Sequence, residues 1–232
     1  MIQLLDFKMM SFISELILKF ENNADADTAF AMEKYLKNIF KLYGVKAPIR
    51  KAILKETITS FKAELTRKKV IEITEILYQK PQRELHYCAI ELIDRFLKKK
   101  YEVTDIDFIQ KLIITNSWWD SVDFIAKHIL GNYLLQFPNQ VAIVTSQFSS
   151  SKNMWLNRSA ILFQLGYKEK TDSKLLFSLC DNHKYSNEFF IKKAIGWALR
   201  EYSKVNSEEV LQFVSTAGLK PLSNKEALKR IK

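Results

Sequence analysis

The sequence predicts an all-α protein, a HEAT-like α-solenoid of about six helical pairs with one basic concave face. Glycine (5) and proline (4) are scarce, whereas sandwiches, barrels and nucleotide-binding α/β folds need many such turn residues. Apolar residues instead recur at helical spacing along the chain. Similar helices also return at a steady interval, which is typical of stacked helix pairs.

Near the start of the chain, apolar spacing predicts a helix around Leu16 and Phe20. The next helix is predicted from the amphipathic spacing of Phe30, Tyr35 and Ile39. Gly44 would end that helix, and Pro48 suits the first turn of the following one. The remaining helices are predicted at residues 69–78, 81–96, 104–115, 118–135, 139–149, 154–165, 172–182, 187–203 and 207–216, with a short basic helix after Ser223.

An internal repeat accounts for this helix order. Four segments align with one another at Ala89, Phe124, Ala160 and Ala194, which lie 35, 36 and 34 residues apart. This period fits two helices per unit, although similar helix lengths alone would also produce it. Because no linker or low-complexity stretch divides the chain, we expect one repeat domain over residues 1–232.

The chain is strongly basic, with 36 lysine and arginine residues against 26 aspartate and glutamate residues, a net charge of +10. This excess favours a polyanionic partner, chiefly nucleic acid; a basic surface without such a partner is the alternative. Cys88 and Cys180 form no CxxC motif, so a reducing cytoplasm is expected. No run of about 18 apolar residues predicts a membrane-spanning helix.

Several enzyme classes lack their motifs in this sequence. There is no glycine-rich dinucleotide fingerprint, no P-loop and no nucleophile elbow. The histidines, His86, His128 and His183, have no partner at the spacing of zinc ligands. We therefore expect neither a cofactor nor a metal ion.

The segment at residues 117–123 combines two tryptophans with two acids at the start of a predicted helix. Ser117 is predicted to cap this helix, and Asp120 to favour its dipole. Trp119 and Asp123 are four residues apart, on one helical face and within contact range. An acid beside an indole suits a functional site. The alternative is a core tryptophan, with Asp123 paired to an arginine across the groove.

A basic stripe is predicted on a later helix, from four residues at helical spacing: Lys193, Trp197, Arg200 and Lys204. Basic side chains interleaved with an aromatic ring suit phosphate contacts and cation–π attraction. The alternative is a solvated stripe, with Trp197 at the edge of the core.

Three segments resemble the AlkD family of bacterial DNA glycosylases: residues 117–123, 153–165 and 188–202. The resemblance extends to residues 32–38, 43–48 and 221–227, and so covers nearly the whole chain. It implies a HEAT-like fold that cups duplex DNA, and excision of purines alkylated at N3 or N7. We expect such a protein to act as a monomer, without a membrane, in the bacterial cytoplasm near the nucleoid.

Carried over residue by residue, the family's catalytic acid falls on Asp123 and its two groove-lining tryptophans fall on Trp119 and Trp197. Its DNA-contacting arginine falls on Arg158. Further contacts with DNA are expected from Tyr35, Lys46, Lys51, Lys193, Arg200 and Lys204. The loop after Gly44 departs from the family pattern, because an alanine precedes the proline where threonine is common. One hydroxyl contact with DNA is therefore not expected.

The resulting hypothesis is a monofunctional DNA glycosylase that hydrolyses the N-glycosidic bond of cationic alkylated purines in duplex DNA. A HEAT-like DNA-binding protein without catalysis is the alternative. A weaker one is a protein-binding solenoid, because helical repeats commonly bind proteins. The presence of Asp123, Trp119 and Trp197 favours the enzyme.

Overall fold

The computed structural model describes residues 2–231, with side chains from residue 9 onward, and confirms the all-α class. Among these residues there is no β-strand, and Lys41 forms an isolated bridge with Gln82. The helices group into two compact units that divide between Lys98 and Lys99. Buried apolar side chains occur in both units.

The first unit, in its described part, contains α1 (Ile2–Glu21), α2 (Ala26–Tyr35), α3 (Ala47–Ser60), α4 (Arg67–Tyr78) and α5 (Arg83–Leu97). Both α1 and α5 pack against α3 and α4. As predicted, Leu16 and Phe20 of α1 are fully buried, and Pro48 lies in the first turn of α3.

The prediction for α2 is wrong in two respects. The three residues of its predicted apolar face are exposed: Phe30, Tyr35 and Ile39, the last of which lies beyond the end of the helix. The helix also ends at Tyr35, well before Gly44. The chain leaves it through Lys37 and Asn38, which both adopt positive φ, a conformation that stops an α-helix.

A buried carboxylate holds the loop between α2 and α3. Glu84, in the first turn of α5, accepts hydrogen bonds from the backbone amides of Tyr43, Gly44 and Val45 at 3.1, 2.9 and 3.1 Å. Gly44 has φ +85 and lies so close to the Asp25 carbonyl oxygen that a Cβ would overlap it. Gly44 therefore serves this loop and does not end a helix. Burial raises the pKa of Glu84, while the backbone hydrogen bonds lower it in part.

The described part of the second unit contains α6 (Asp105–Ile114), α7 (Trp119–Phe124), α8 (Gly131–Gln136), α9 (Val141–Ser149), α10 (Met154–Leu162), α11 (Ser173–Asn182), α12 (Phe189–Tyr202), α13 (Ser207–Ala217) and α14 (Pro221–Ala227). A π-helical segment, Ile125–Leu130, joins α7 to α8 without a break. Short 3-10 turns cover Pro138–Gln140 and Lys168–Lys170. The predicted helices are therefore present, with ends shifted by a few residues.

The predicted repeat positions all fall on the second helix of a packed pair: Ala89 in α5, Phe124 in α7, Ala160 in α10 and Ala194 in α12. The pairs in contact are α4 with α5, α9 with α10 and α11 with α12, while α6 contacts the π segment that continues α7. Two-helix units of this kind are those of an α-solenoid. The number of about six pairs, the basic concave face and the single domain stay predictions.

In the second unit, α12 and α14 pack at close range because Gly196 has no side chain. A Cβ at this position would lie 2.8 Å from the Ser223 carbonyl oxygen and 3.3 Å from the Ala227 amide nitrogen. The buried Ser223 hydroxyl donates to the Lys192 carbonyl oxygen at 3.1 Å. This close approach places Glu226 of α14 directly against α12.

Replacement of Gly196 by alanine is expected to destabilise the protein. The methyl group would overlap backbone atoms of α14, and overpacking of a core costs about 1–3 kcal/mol. Alanine recovers up to about 1 kcal/mol of helix propensity. Urea unfolding is therefore expected to show a net loss on the order of 1 kcal/mol. Gly166→Ala is the matched control, because its Cβ would meet only the Lys127 side chain, at 3.5 Å. An unchanged midpoint for Gly196→Ala would contradict the packing argument.

Candidate active site

A cavity of about 390 Å³ opens on the second unit, with walls from α7, α10, α12 and α14. Nine residues line it: Trp119, Asp123, Arg158, Phe189, Phe190, Lys193, Trp197, Arg200 and Glu226. The structure thus brings together the predicted acid, both predicted tryptophans and three of the predicted cations. It adds two phenylalanines and one further acid.

The centre of the cavity wall is an ion pair between Asp123 and Arg158. The arginine donates from Nε to Oδ1 at 2.7 Å and from Nη2 to Oδ2 at 2.9 Å. Its Nη1 donates to the carbonyl oxygen of Phe190. Arg158 is 4% exposed, and the Asp123 side chain is 14% exposed. Both carboxylate oxygens are therefore fixed in direction by a buried guanidinium group.

The surroundings of Asp123 act on its pKa in opposite directions. Burial raises the pKa of the Asp123 carboxyl, and the hydrogen bonds and charge of Arg158 lower it in part. The nearby Asp120 adds to the increase. Arg158 thus favours the ionised form of a carboxyl that has lost most of its water. A poorly hydrated carboxylate interacts strongly with any positive charge brought beside it.

The two tryptophans reach the cavity from different helices. Trp119 lies on α7, one turn before Asp123, and both side chains line the cavity as their spacing predicts. Trp197 lies on α12 and packs partly against the buried core of the second unit. Trp197 is therefore at the edge of the core and on the cavity wall at once.

An aromatic cluster of three rings adjoins the ion pair. The ring centroid of Trp118 lies 5.8 Å from that of Trp155 and 5.2 Å from that of Phe190, and Trp155 lies 5.0 Å from Phe190. The cluster holds Phe190 in place, and the carbonyl oxygen of Phe190 accepts a hydrogen bond from Arg158. Of the two adjacent tryptophans, Trp118 thus belongs to this packing, whereas Trp119 lines the cavity.

The predicted cap at Ser117 is wrong. Trp118 occupies the N-cap position of α7, and the Ser117 hydroxyl donates to the Ile113 carbonyl oxygen at 2.6 Å. The serine therefore donates a hydrogen bond to a carbonyl group in the last turn of α6. Carbonyl groups at this end of a helix have no hydrogen-bond partner within the helix itself. Asp120 does lie in the first turn of α7, where the helix dipole favours a negative charge.

The basic stripe on α12 is shorter than predicted. Lys193, Trp197 and Arg200 line the cavity, but α12 ends two residues before Lys204. Lys204 lines a different cavity, of about 230 Å³, and pairs with Glu201 at 2.6 Å. The structure therefore does not bring Lys204 to the candidate site.

Sequence reasoning missed Glu226. Its carboxylate binds Lys193 Nζ at 2.9 Å and Arg200 Nη1 at 2.7 Å. The hydrogen bond from Lys193 is the largest of the influences that lower the pKa of Glu226. The residue lies within the resembling segment 221–227, but an acid has no place in a predicted basic stripe. Only the contact between α12 and α14 reveals it.

The other predicted DNA contacts belong to the first unit, where all three are exposed: Tyr35, Lys46 and Lys51. Tyr35 ends α2, Lys46 is the N-cap residue of α3, and Lys51 follows within that helix. Their contact with DNA stays a prediction.

The remaining features concern metal binding and membranes in the part of the chain that the structure describes. It contains no group of three or more His, Cys, Asp or Glu side chains placed to hold a metal ion. Cys88 and Cys180 are free and buried; burial raises the pKa of both thiols, that of Cys88 to about 12. Among the described helices, none has the length and apolar character needed to cross a bilayer.

Fold and cavity together define the class of this protein. It is an α-solenoid protein with an aromatic-walled cavity that is lined by three cations and by two largely buried carboxylates, those of Asp123 and Glu226.

Residues 16–231 match the family of DNA alkylation repair enzymes, and the chain belongs to that family. A similar solved structure is described as "Predicted DNA alkylation repair enzyme from Enterococcus faecalis". It is 31% identical, superposes with a TM-score of 0.83, and the match covers 90% of this chain and 96% of that one. No curated protein sequence matches the chain. The family and fold class expected from the sequence are thereby confirmed.

Removal of the buried arginine is expected to destabilise the protein far more than removal of a surface cation. Arg158→Met leaves the Asp123 carboxylate unpaired, which costs about 3 kcal/mol in urea unfolding. The double variant Asp123→Asn/Arg158→Met leaves no unpaired charge, so its loss is expected to be smaller than the sum of the single losses.

Lys204→Met is the matched control, since it breaks only the exposed pair with Glu201. Its loss should stay below about 1 kcal/mol. Equal losses in the free energy of unfolding for Arg158→Met and Lys204→Met would show that the buried ion pair contributes no more to stability than the exposed one.

Proposed function

We propose that this protein is a DNA glycosylase that hydrolyses the N-glycosidic bond of cationic N3- or N7-alkylated purines in duplex DNA, as the first step of base excision repair. One observation carries the proposal. Asp123, Trp119 and Trp197 line a single cavity, and Arg158 holds both carboxylate oxygens. Membership of the family supports DNA alkylation repair. The choice of bond and lesion rests on the resemblance to the AlkD family, and the chemistry of this cavity agrees with it.

Alkylation at N3 or N7 leaves the purine with a positive charge, so the base is a good leaving group. When the bond from C1′ to the purine nitrogen breaks, its electron pair leaves with the base and neutralises it. Positive charge then grows on the deoxyribose, as in glycoside hydrolysis. A carboxylate beside the sugar stabilises this charge and can accept a proton from the water that adds to C1′.

Asp123 has the properties that this step requires. Its carboxylate has little contact with water, is favoured in the ionised form by Arg158, and cannot rotate away without breaking two hydrogen bonds. Electrostatic stabilisation is most effective when the charged group is held in place before the reaction begins. We therefore assign to Asp123 the stabilisation of the sugar cation and the orientation of the water.

The tryptophans Trp119 and Trp197 supply attraction for a cationic base. Each ring face can contribute on the order of 0.5–2 kcal/mol to a bound cation, depending on how far water is excluded. This attraction requires a charged lesion, so neutral adducts are expected to be released poorly. The resemblance to the AlkD family implies that contact with the backbone and sugar suffices and that the base need not be enclosed in a tight pocket, as it is in most base-excising enzymes. The open form of this cavity agrees with that.

The cations of the cavity divide between two roles. Arg158 commits three guanidinium nitrogens to Asp123 and Phe190, so we assign it first to the orientation of Asp123. Its predicted contact with a DNA phosphate depends on its remaining N–H groups. Lys193 and Arg200 are more exposed and better placed to contact the DNA backbone.

A DNA-binding protein without catalysis remains the second candidate. Such a protein needs cations, but it gains nothing from a desolvated acid, which costs stability to bury. Largely buried carboxyl groups with shifted pKa values are concentrated at functional sites. The environment of Asp123 therefore favours the enzyme.

Asp123→Asn is expected to slow base release about 100-fold, because the amide carries no charge to stabilise the sugar cation. The measurement is single-turnover release of 7-methylguanine from duplex DNA. Asp181→Asn is the matched control, since Asp181 is an aspartate paired with Lys184 and does not line this cavity. Release by Asp123→Asn at the parent rate would refute the assigned role. A parent protein that binds DNA but releases no base would favour the second candidate.

The rate of release is expected to fall on the acid side. Only the ionised carboxylate stabilises the sugar cation, and its fraction decreases as the pH drops through the pKa of Asp123. Since burial raises that pKa, activity should be lost at a higher pH than for an ordinary aspartate. Arg158→Lys weakens the paired hydrogen bonds and should move the midpoint higher still. A flat profile down to the range of a solvent-exposed aspartate would contradict the assignment.

A further inference from the structure

Glu226 is an acid in a cavity that is proposed to bind a polyanion. Each of its carboxylate oxygens binds one cation of α12, Oε1 with Lys193 and Oε2 with Arg200. We propose that Glu226 is an internal counterion that sets the charge of the cavity, so that it weakens DNA binding and speeds the cleavage that releases the alkylated base. This inference rests on the proposed function.

The charges that line the cavity nearly balance. Arg158 and Asp123 neutralise each other in a paired contact. Lys193 and Arg200 together face the single negative charge of Glu226, which leaves one net positive charge. Without Glu226 the cavity would carry two net positive charges. Bond breaking moves positive charge from the purine to the deoxyribose. A surplus positive charge on the side of the DNA backbone, to which Lys193 and Arg200 are assigned, therefore raises the barrier to bond breaking.

The position of Glu226 is built into the packing of two helices. Because Gly196 lacks a side chain, α14 approaches α12 closely enough for Glu226 to stand between the lysine and the arginine. The Glu226 side chain is only 13% exposed, so its two partners are not exchanged freely for water. Hydrogen bonds from Lys193 and Arg200, together with the charges of Lys193 and Lys229, lower the pKa of Glu226 and keep the carboxylate ionised.

Phosphate groups and Glu226 compete for the same two cations. Loss of the glutamate charge would free Lys193 and Arg200 for the DNA backbone, so binding should tighten and depend more steeply on salt. The chemical step should slow for the reason given above. If Glu226 merely held the two helices together, its removal would weaken DNA binding and also slow the chemical step. The two roles therefore predict opposite effects on binding.

The test compares Glu226→Gln with the parent protein. Its affinity for undamaged duplex is expected to rise several-fold at moderate salt. The slope of log affinity against log salt concentration should become more negative by about one to two. Each added phosphate contact contributes about 0.9 to the magnitude of this slope. Single-turnover release of 7-methylguanine at saturating protein should fall about tenfold, an effect of about 1.4 kcal/mol.

Glu201→Gln is the matched control. It removes the same charge from the ion pair with Lys204, which lines the other cavity, so release should stay at the parent rate. Glu226→Asp keeps the charge and should retain an affinity near that of the parent. This variant separates the effect of charge from that of side-chain length.

Two results would overturn the inference. One is weaker binding together with slower release by Glu226→Gln, which indicates a structural clamp. The other is binding no tighter than that of Glu201→Gln. The binding measurements use undamaged DNA and do not depend on catalysis. If the parent protein releases no base, the proposed function fails, while the affinities still decide whether Glu226 acts as a counterion.

Discussion

The paired contact between Asp123 and Arg158 is the constraint on which the candidate site depends. A carboxylate can stay ionised in a largely buried position only if a partner replaces the water that it has lost. Arg158 does this with two hydrogen bonds, and its third contact, to the Phe190 carbonyl oxygen, prevents it from turning away. Phe190 is in turn packed against Trp118 and Trp155. The direction of one carboxylate is thus set by a cluster of aromatic rings that has no assigned chemical role in the proposed mechanism.

Features within one helix were the part of the structure that the sequence could predict. The spacing of Trp119 and Asp123 on α7, and of Trp197 and Arg200 on α12, follows from helical geometry alone, and all four residues line the cavity. The repeat likewise placed Ala160 and its equivalents on helices. Where a helix ended early, the same reasoning failed, and Lys204 was assigned to a stripe that stops before it.

Contacts between helices lay beyond such reasoning. Arg158 is 35 residues from Asp123, and the sequence could suggest only as an alternative that Asp123 pairs with an arginine, without naming which one. Glu226 is 26 residues from Arg200 and reaches it only because α14 packs closely on α12. The loop around Gly44 was assigned to a helix end, since its organiser, Glu84, lies 40 residues further along the chain. In each case the local structure depends on a polar partner that is distant in the sequence, and the spacing of apolar residues does not indicate such a partner.

The net charge of the whole chain and the net charge of the cavity have different roles. A net charge of +10 attracts a polyanion from a distance and holds its backbone. A cavity with the same excess would repel a cationic base and oppose the growth of charge on the sugar. Asp123 and Glu226 bring the cavity close to neutrality, so that phosphate binding by exposed cations and stabilisation of a cation can occur in one protein. This separation of long-range attraction from local balance is what the proposed chemistry requires, and neither composition nor net charge alone would have revealed it.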